Sequence, residues 1–427
     1  MAIREIQRAA CFAILLICVG LPAFSQTQLI LTNKINIRRT DELIVIKHRE
    51  VQHLLSAAKP FLKVSGSGID LVVQYDDLDQ DGVWDEAALL VTFAPLQHLA
   101  LKLSASPTQT PAPVTKAHVR QRRKRADNSF GPNLSTDAIP GNQAATDFSK
   151  QKLPLFLTEG PAWENDRVGF RLYFDVRNGK DIWGKTTQEM VMDTVGVNPE
   201  VIYHNRAPWG MDILKVGASL SAGALALQFR NPRGQDTLIR LGGEHMGEVF
   251  YQKLADGPLR AIFRLSYPKW HLSDAYPDAS ITEEISIAGG QYFYKSHITM
   301  RNTPADAFLV AGFADLYHVP SGQLKTDASQ AFYSFGQQSE NKDALGLALI
   351  TSLKDLAFSG KVPLSSTDIR DSYMIGLRPS KTSPNATFKF YAAWGASDSR
   401  FKTLDTFTEF MTAQLRINDS AITKRFR

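Results

Sequence analysis

Between Glu159 and Gly217 the chain gathers the residue types that proton transfer and sugar recognition use. Trp163, Glu164, Arg167, Arg171, Tyr173, Asp175, Arg177, Asp181, Lys185, His204, Trp209, Asp212 and Lys215 all fall in this stretch, broken by glycines. Arg, Asp, Glu and Lys are rarely buried unless paired, so the segment does not read as core. Aromatic rings beside carboxylates and cations suit a sugar-binding cleft, where flat faces stack on pyranose rings and polar groups orient hydroxyls and carboxylates.

Two reactions fit that inventory. β-Elimination from a uronate-containing glycan needs a cation at the C6 carboxylate, a base for the C5 proton and an acid for the leaving oxygen. Arg171, Arg177, Lys185 and Lys215 are candidates for the cation, His204 for the base, and Tyr173 or Tyr203 for the acid. An imidazole suits the base because it exchanges protons near neutral pH. Glycoside hydrolysis instead needs two carboxylates roughly 5–9 Å apart, for which Glu164, Asp175, Asp181 and Asp212 are available. The catalytic set is thus His204, Tyr173, Arg171, Glu164 and Asp212. Trp163, Asp175, Arg177, Asp181, Lys185, Trp209 and Lys215 form the substrate-binding set. A non-catalytic glycan-binding protein would use the same rings and charges for capture alone.

Several of these residues also have a plainer reading. Arg171 and Asp175, four apart on a strand, share a face and serve equally to pair with neighbouring charges. Trp163 and Trp209 read as core or cleft wall, or as stacking platform. Among other histidines, His245 beside Glu244, His271 beside Trp270 and His318 before Pro320 are secondary candidates, while His297 lies in an alternating strand and reads as structural. No three histidines have zinc-site spacing.

The elements around this stretch read as strands. Val168–Val176, Ala261–Tyr267, Ala279–Ile287, Tyr292–Met300, Leu345–Ile350 and Phe388–Trp394 alternate apolar and polar residues, with turn signals at Asp256-Gly-Pro, Gly289-Gly290 and Asn302-Thr-Pro. Many strands without intervening helices predict a mainly β protein: a large antiparallel β-sandwich over 151–427, ending in a short helix from Thr403 to Arg416. A smaller β domain over 26–104 precedes it, with strands at Leu29–Leu31, Leu43–Ile46 and Leu71–Val73. An acidic loop follows the last of these. Asp77, Asp79, Asp81 and Asp85 around Gly82 fit the D-x-D-x-D-G-x-x-D pattern of an oxygen cage for Ca2+, although Ala88 stands where an EF-hand has its bidentate Glu. A structural calcium site is expected there, the alternative being a solvated hairpin tip.

Length and charge set the remaining bounds. With 427 residues the chain has room for two or three domains, and a net charge of +5 does not make it a nucleic-acid polycation. Residues 1–25 read as a signal peptide: Arg4 and Arg8, an apolar run from Ala9 to Leu21, then Ala23-Phe24-Ser25 before the cut. The run is short for a spanning helix, so a periplasmic or secreted protein without a membrane span is expected. Both cysteines, Cys11 and Cys18, lie in that leader, which excludes disulfides and a cysteine nucleophile from the mature chain. Residues 105–150, rich in Pro and Thr and carrying Arg120, Arg122, Arg123, Lys124 and Arg125, read as an extended linker. Its basic run is either a solvated loop or an attractor for an acidic glycan.

The run Trp163-Glu-Asn-Asp-Arg-Val-Gly-Phe-Arg-Leu-Tyr-Phe-Asp-Val-Arg-Asn-Gly-Lys-Asp-Ile-Trp-Gly-Lys resembles the DUF4861 family of exported bacterial proteins. Tyr203-His204, Trp209-Gly-Met-Asp-Ile-Leu-Lys-Val-Gly, the acidic loop from Asp77 and Asp256-Gly-Pro-Leu-Arg extend the resemblance over most of the mature chain. It implies carbohydrate work on a galactose-mutarotase-like β-supersandwich, in the setting of polysaccharide degradation. It supplies no catalytic residue.

Overall fold

The computed structural model describes residues 27–231, 233–366, 368–379 and 384–427; the expected leader over 1–25 lies outside them. Ala279–Ala288 and Phe293–Arg301 alternate buried and accessible positions almost throughout, as strands with one face on a core must. They sit within a nine-stranded antiparallel sheet. Its order is Ser321–Lys325, Ser329–Gly336, Leu345–Ser352, Asn385–Trp394, Phe293–Arg301, Ala279–Ala288, Arg260–Trp270, Val249–Asp256 and Thr136–Ile139.

Two five-stranded sheets cover its inner face. One is ordered Asp236–Arg240, Ala222–Arg230, Phe308–Ala314, Ser372–Leu377 and Leu356–Lys361. The other, which carries the candidate site, is ordered Gly210–Asp212, Lys180–Lys185, Val168–Leu172, Ala162–Asn165 and Ala117–Arg120. Trp163, Phe170 and Ile182 from the site sheet, Leu227, Leu309 and Ile375 from its neighbour, and Phe263, Ile285 and Phe390 from the large sheet share one core. The large antiparallel sandwich expected from the strand pattern is present.

The N-terminal unit has its own core, including Leu29, Ile46, Trp84, Leu89 and Leu103. Its edge strand comes from far along the chain: Thr423–Phe426 pairs antiparallel with Thr27–Thr32. Leu71–Val73 is not strand; Ile69–Asp70 and Gln74–Asp76 flank it instead. Arg260 ties the two units together, its Nε donating to Asp76 at 2.6 Å. The helix spans Leu404–Asp419, capped by the Thr403 hydroxyl, with Phe407, Met411 and Leu415 buried against Ala331, Ala348, Ile350 and Tyr391 of the large sheet. Among the described residues no helix is long and apolar enough to cross a membrane.

Residues 105–150 depart from the expected linker, because they supply the edge strands Ala117–Arg120 and Thr136–Ile139. Much of the basic run is engaged internally. Fully buried Arg120 donates to the carbonyls of Met192, Leu157 and Gly160 and to Thr158 Oγ1. Arg122 donates to the Gly131, Phe130 and Asp193 carbonyls, and Arg123 to Asp137. Loop carbonyls have no ladder partner of their own, and guanidinium forks satisfy them.

His118, on the same edge strand, sits between Asp256 (Nδ1 to Oδ1, 2.8 Å) and Asp193 (Nε2 to Oδ2, 3.2 Å). Burial alone would lower its pKa; the two carboxylates outweigh burial and raise it to about 9. A raised folded-state value means that the pairs stabilise fully below about 6.5 and lose their contribution as pH rises through about 9. The loss is on the order of 3 kcal/mol. Urea midpoints of the parent are expected to fall across that window more than those of His118→Gln. Parallel curves would contradict the ion-pair assignment.

Candidate functional site

Side chains of the site sheet alternate between the core and an opposite face that carries Glu164, Arg171, Asp181, Trp183 and Lys185. Residues 186–209 fold over that face, bringing Met192, Val195, Tyr203 and Trp209 together with Trp183. Charges enclosed this way are stable only when paired and hydrogen-bonded. Lys185 Nζ accordingly donates to Glu164 and to the carbonyls of Asn165 and Glu189, and Glu164 Oε1 accepts the Val191 and Met192 amides at 2.7 Å. Glu164 and Lys185 fasten the covering segment, which corrects their expected roles as catalytic acid and uronate-binding cation. Trp163 is fully buried against Phe170 and Phe263, so it is core and not a stacking platform.

Beside this pair lies a second network. Strand register sets Asp181 opposite Arg171, and Asp212 opposite Trp183 one strand further on. The Arg171 side chain is 1% exposed; its Nη2 donates to Asp181 and Asp212 at 2.8 Å and to Tyr173 Oη at 2.7 Å. Its Nη1 donates to Tyr203 Oη at 3.2 Å. The Tyr173 hydroxyl donates in turn to Asp181 at 2.7 Å, and burial first, then Asp181, pushes the phenol well above its ordinary pKa. Arg177 Nη2 lies 2.6 Å from both Glu159 and Asp175. Arg171 and Arg177 are therefore neutralised from within, and the Tyr173 hydroxyl is engaged by Asp181 and Arg171.

The backbone turn behind the network is strained. Thr158 and Glu159 take φ of 49° and 69°, conformations that cost on the order of 1–3 kcal/mol each outside glycine. Gly160 follows with a φ of +157°, where an added Cβ would lie 2.1 Å from the Leu172 carbonyl. Arg120 and Arg171 hold the turn through its carbonyls, the Thr158 hydroxyl and the Glu159 carboxylate.

The network reaches solvent chiefly at His204, whose side chain is 54% exposed with Nδ1 3.6 Å from Asp212 Oδ2. Burial first, then the Arg171 charge, hold its imidazole below the ordinary value, so it is neutral near pH 7. Burial and Asp181 push the Asp212 carboxyl well above the usual range. The Tyr203 ring lies 4.8 Å from that of His204. Burial raises its phenol pKa too, and among the described residues its hydroxyl donates to no acceptor.

Tyr203 and His204 line a cavity of about 250 Å³ with Phe148, Lys152, Pro199 and Ile202. Phe148 and Ile202 are 52% and 58% exposed, and Lys152 pairs with Glu200 at the rim. Phe148 and Lys152 escaped the sequence reading because they fall in or beside the stretch read as linker. Glu159 stood at the edge of the segment and carried no motif. Trp209 is half-buried beside Trp183, and Lys215 is exposed beyond Asp212. The other histidines lie elsewhere: His245 and His271 stack at 6.3 Å, His297 meets Thr387, and His318 lies near Asp315.

In the acidic loop, carboxylate oxygens of Asp77, Asp79 and Asp85 lie within 4.8 Å of one another. This donor set fits a hard, oxygen-liganded cation. The Asp81 carboxylate lies outside this group and accepts the Val83 amide at 2.8 Å.

Comparison with curated proteins finds no match to the chain. Among solved structures, an alpha-mannosidase from Enterococcus faecalis V583 aligns at 11% identity and TM-score 0.48, over 95% of this chain and 46% of that one. A glycosyl hydrolase family 38 protein from Enterococcus faecalis aligns at 10% and TM-score 0.43, over 95% and 48%. The chain thus spans about half the length of those structures. The family model described as Domain of unknown function (DUF4861) matches residues 31–423, and the chain belongs to that family.

Proposed function

We propose that this chain is an exported carbohydrate-active enzyme that cleaves uronate-containing glycans by β-elimination, with His204 as base and Tyr203 as acid. The supporting observation is that the His204 imidazole and the Tyr203 phenol line one cavity with their rings 4.8 Å apart, Tyr203 Oη accepting from Arg171 and His204 lying 3.6 Å from Asp212. Burial lowers the imidazole pKa and raises that of the phenol. In the step, His204 takes the C5 proton, the electron pair forms the C4–C5 double bond, the C4–O bond breaks, and the leaving oxygen takes the Tyr203 proton. Lys152, which would exchange its exposed pairing with Glu200 for the uronate carboxylate, is the cation on the cavity rim, and Phe148 offers a ring face. Hydrolysis has less support, because Glu164, Asp175, Asp181 and Asp212 are all nearly buried and held by arginine or lysine. Capture without turnover is the second reading, favoured by the exposed apolar rim of Phe148 and Ile202.

Incubation with acidic and neutral polysaccharides tests the proposal. The expected result is ultraviolet absorbance from an unsaturated uronide. Shorter chains without that absorbance would point to hydrolysis, and binding without products to the capture reading.

A structural calcium ion held by Asp77, Asp79 and Asp85 belongs to the same proposal. Millimolar calcium is expected to raise Tm by about 2 °C or more in the parent and not in Asp79→Asn. No shift in the parent would remove the ion.

A further inference from the structure

The joint between the small unit, the large sheet and the C-terminal helix holds more guanidinium groups than its carboxylates neutralise. A cleft of about 180 Å³ there is lined by Arg38, Arg167 and Arg400, with Tyr292, Phe410 and Gln414. The nearby acids are committed. Glu42 pairs with buried Arg39 at 3.3 Å. Asp398 holds Arg400 at 2.6 Å and accepts the Tyr292 hydroxyl at 2.8 Å. Asp166 accepts the Gly290 amide at 2.6 Å and stays 3.8 Å from Arg167. Among the described residues the Arg38 side chain has no hydrogen-bond or ion-pair partner, and that of Arg167 has only the long approach to Asp166.

Arg167 and Arg400 reach the cleft from different parts of the chain. Tyr292 and Phe410 meet edge-on at 6.0 Å and form the aromatic part of the lining. Arg400 lies 5.7 Å and 5.2 Å from their centroids. Like charges gathered around a small cleft repel one another unless an anion enters, and guanidinium forks match the oxygens of carboxylate or sulfate. Aromatic faces suit a sugar ring. The volume is below the roughly 300–1,000 Å³ of a drug-sized ligand pocket, which limits the occupant to one anionic group and part of its ring.

We propose that this cleft is a second glycan site, seating one carboxylate or sulfate of an acidic sugar among Arg38, Arg167 and Arg400, with half-buried Phe410 beside the sugar ring and buried Tyr292 at the floor. It shares no residue with the His204 cavity and does not rest on elimination there.

Calorimetric titration with inorganic sulfate and with an oligouronate, against chloride at matched ionic strength, tests the site. Both anions are expected to bind the parent. In the double variant Arg38→Gln, Arg167→Gln, sulfate affinity is expected to fall at least about tenfold, and the number of oligouronate molecules bound to fall by one. His204→Ala should leave the sulfate arm unchanged, which separates failure of this site from failure of the elimination reading. An unchanged Tm of the double variant in chloride shows that the fold is intact. Sulfate binding without an oligouronate effect would overturn the glycan assignment. Absence of binding by either anion, or equal affinities in parent and double variant, would overturn the site.

Discussion

His204→Ala is expected to lower turnover on a uronate-containing glycan by roughly 10²- to 10⁴-fold, the range that a positioned general base contributes. Stability should hardly change, because the side chain is 54% exposed and 3.6 Å from its nearest carboxylate; surface substitutions of this kind stay within about 0.5 kcal/mol. Glycan affinity should also persist, since most of the cavity wall comes from residues other than His204, among them Phe148, Lys152, Pro199 and Ile202. Steady-state rates and calorimetric affinities measured on the same preparation check this split. Unchanged turnover would remove His204 as the base, and a parallel loss of affinity would make it a binding residue.

Arg171→Met presents the opposite case. The guanidinium is 1% exposed and joins Asp181, Asp212 and Tyr173, with Glu159 at 3.5 Å. Its removal leaves Asp181 and Asp212 enclosed beneath residues 186–209 without a cation, while Glu159 keeps Arg177. Breaking one side of a buried pair costs about 3–5 kcal/mol, so urea unfolding should show a loss of that size, and turnover should fall with the folded population. Adding Asp181→Asn to Arg171→Met should recover part of the loss, because it removes one stranded charge. An Arg171→Met protein as stable as the parent would contradict the assignment of Arg171 as the centre of the network.

The sandwich and the terminal helix were legible because one buried face writes itself as alternation in Ala279–Ala288 and as spaced apolar residues in Leu404–Asp419. The site segment was legible as a place but not as a set of roles. Arg171, Asp181, Glu164 and Lys185 alternate with core residues just as a solvated strand face does. What buries them is the excursion 186–209, and nothing local in the strands records that a later loop returns over them. The same cause hides the basic run: Arg120 reads as solvated, yet it meets carbonyls as far along the chain as Met192. The Lys180–Glu283 pair inside the sandwich joins positions about a hundred residues apart and leaves no spacing signal. His204 stood out because its neighbours Tyr203, Asn205 and Arg206 are loop-like, and loops at the edge of a sheet reach solvent.

The pH dependence of turnover tests most directly the claim that a neutral His204 accepts the substrate proton. With the imidazole held below its ordinary value, the rate should rise with pH through an apparent pKa under about 6.5 and level off towards neutrality. The residual activity of His204→Ala should lack that acidic limb. A rate that falls with rising pH across the same range, or an acidic limb that survives in His204→Ala, would contradict it.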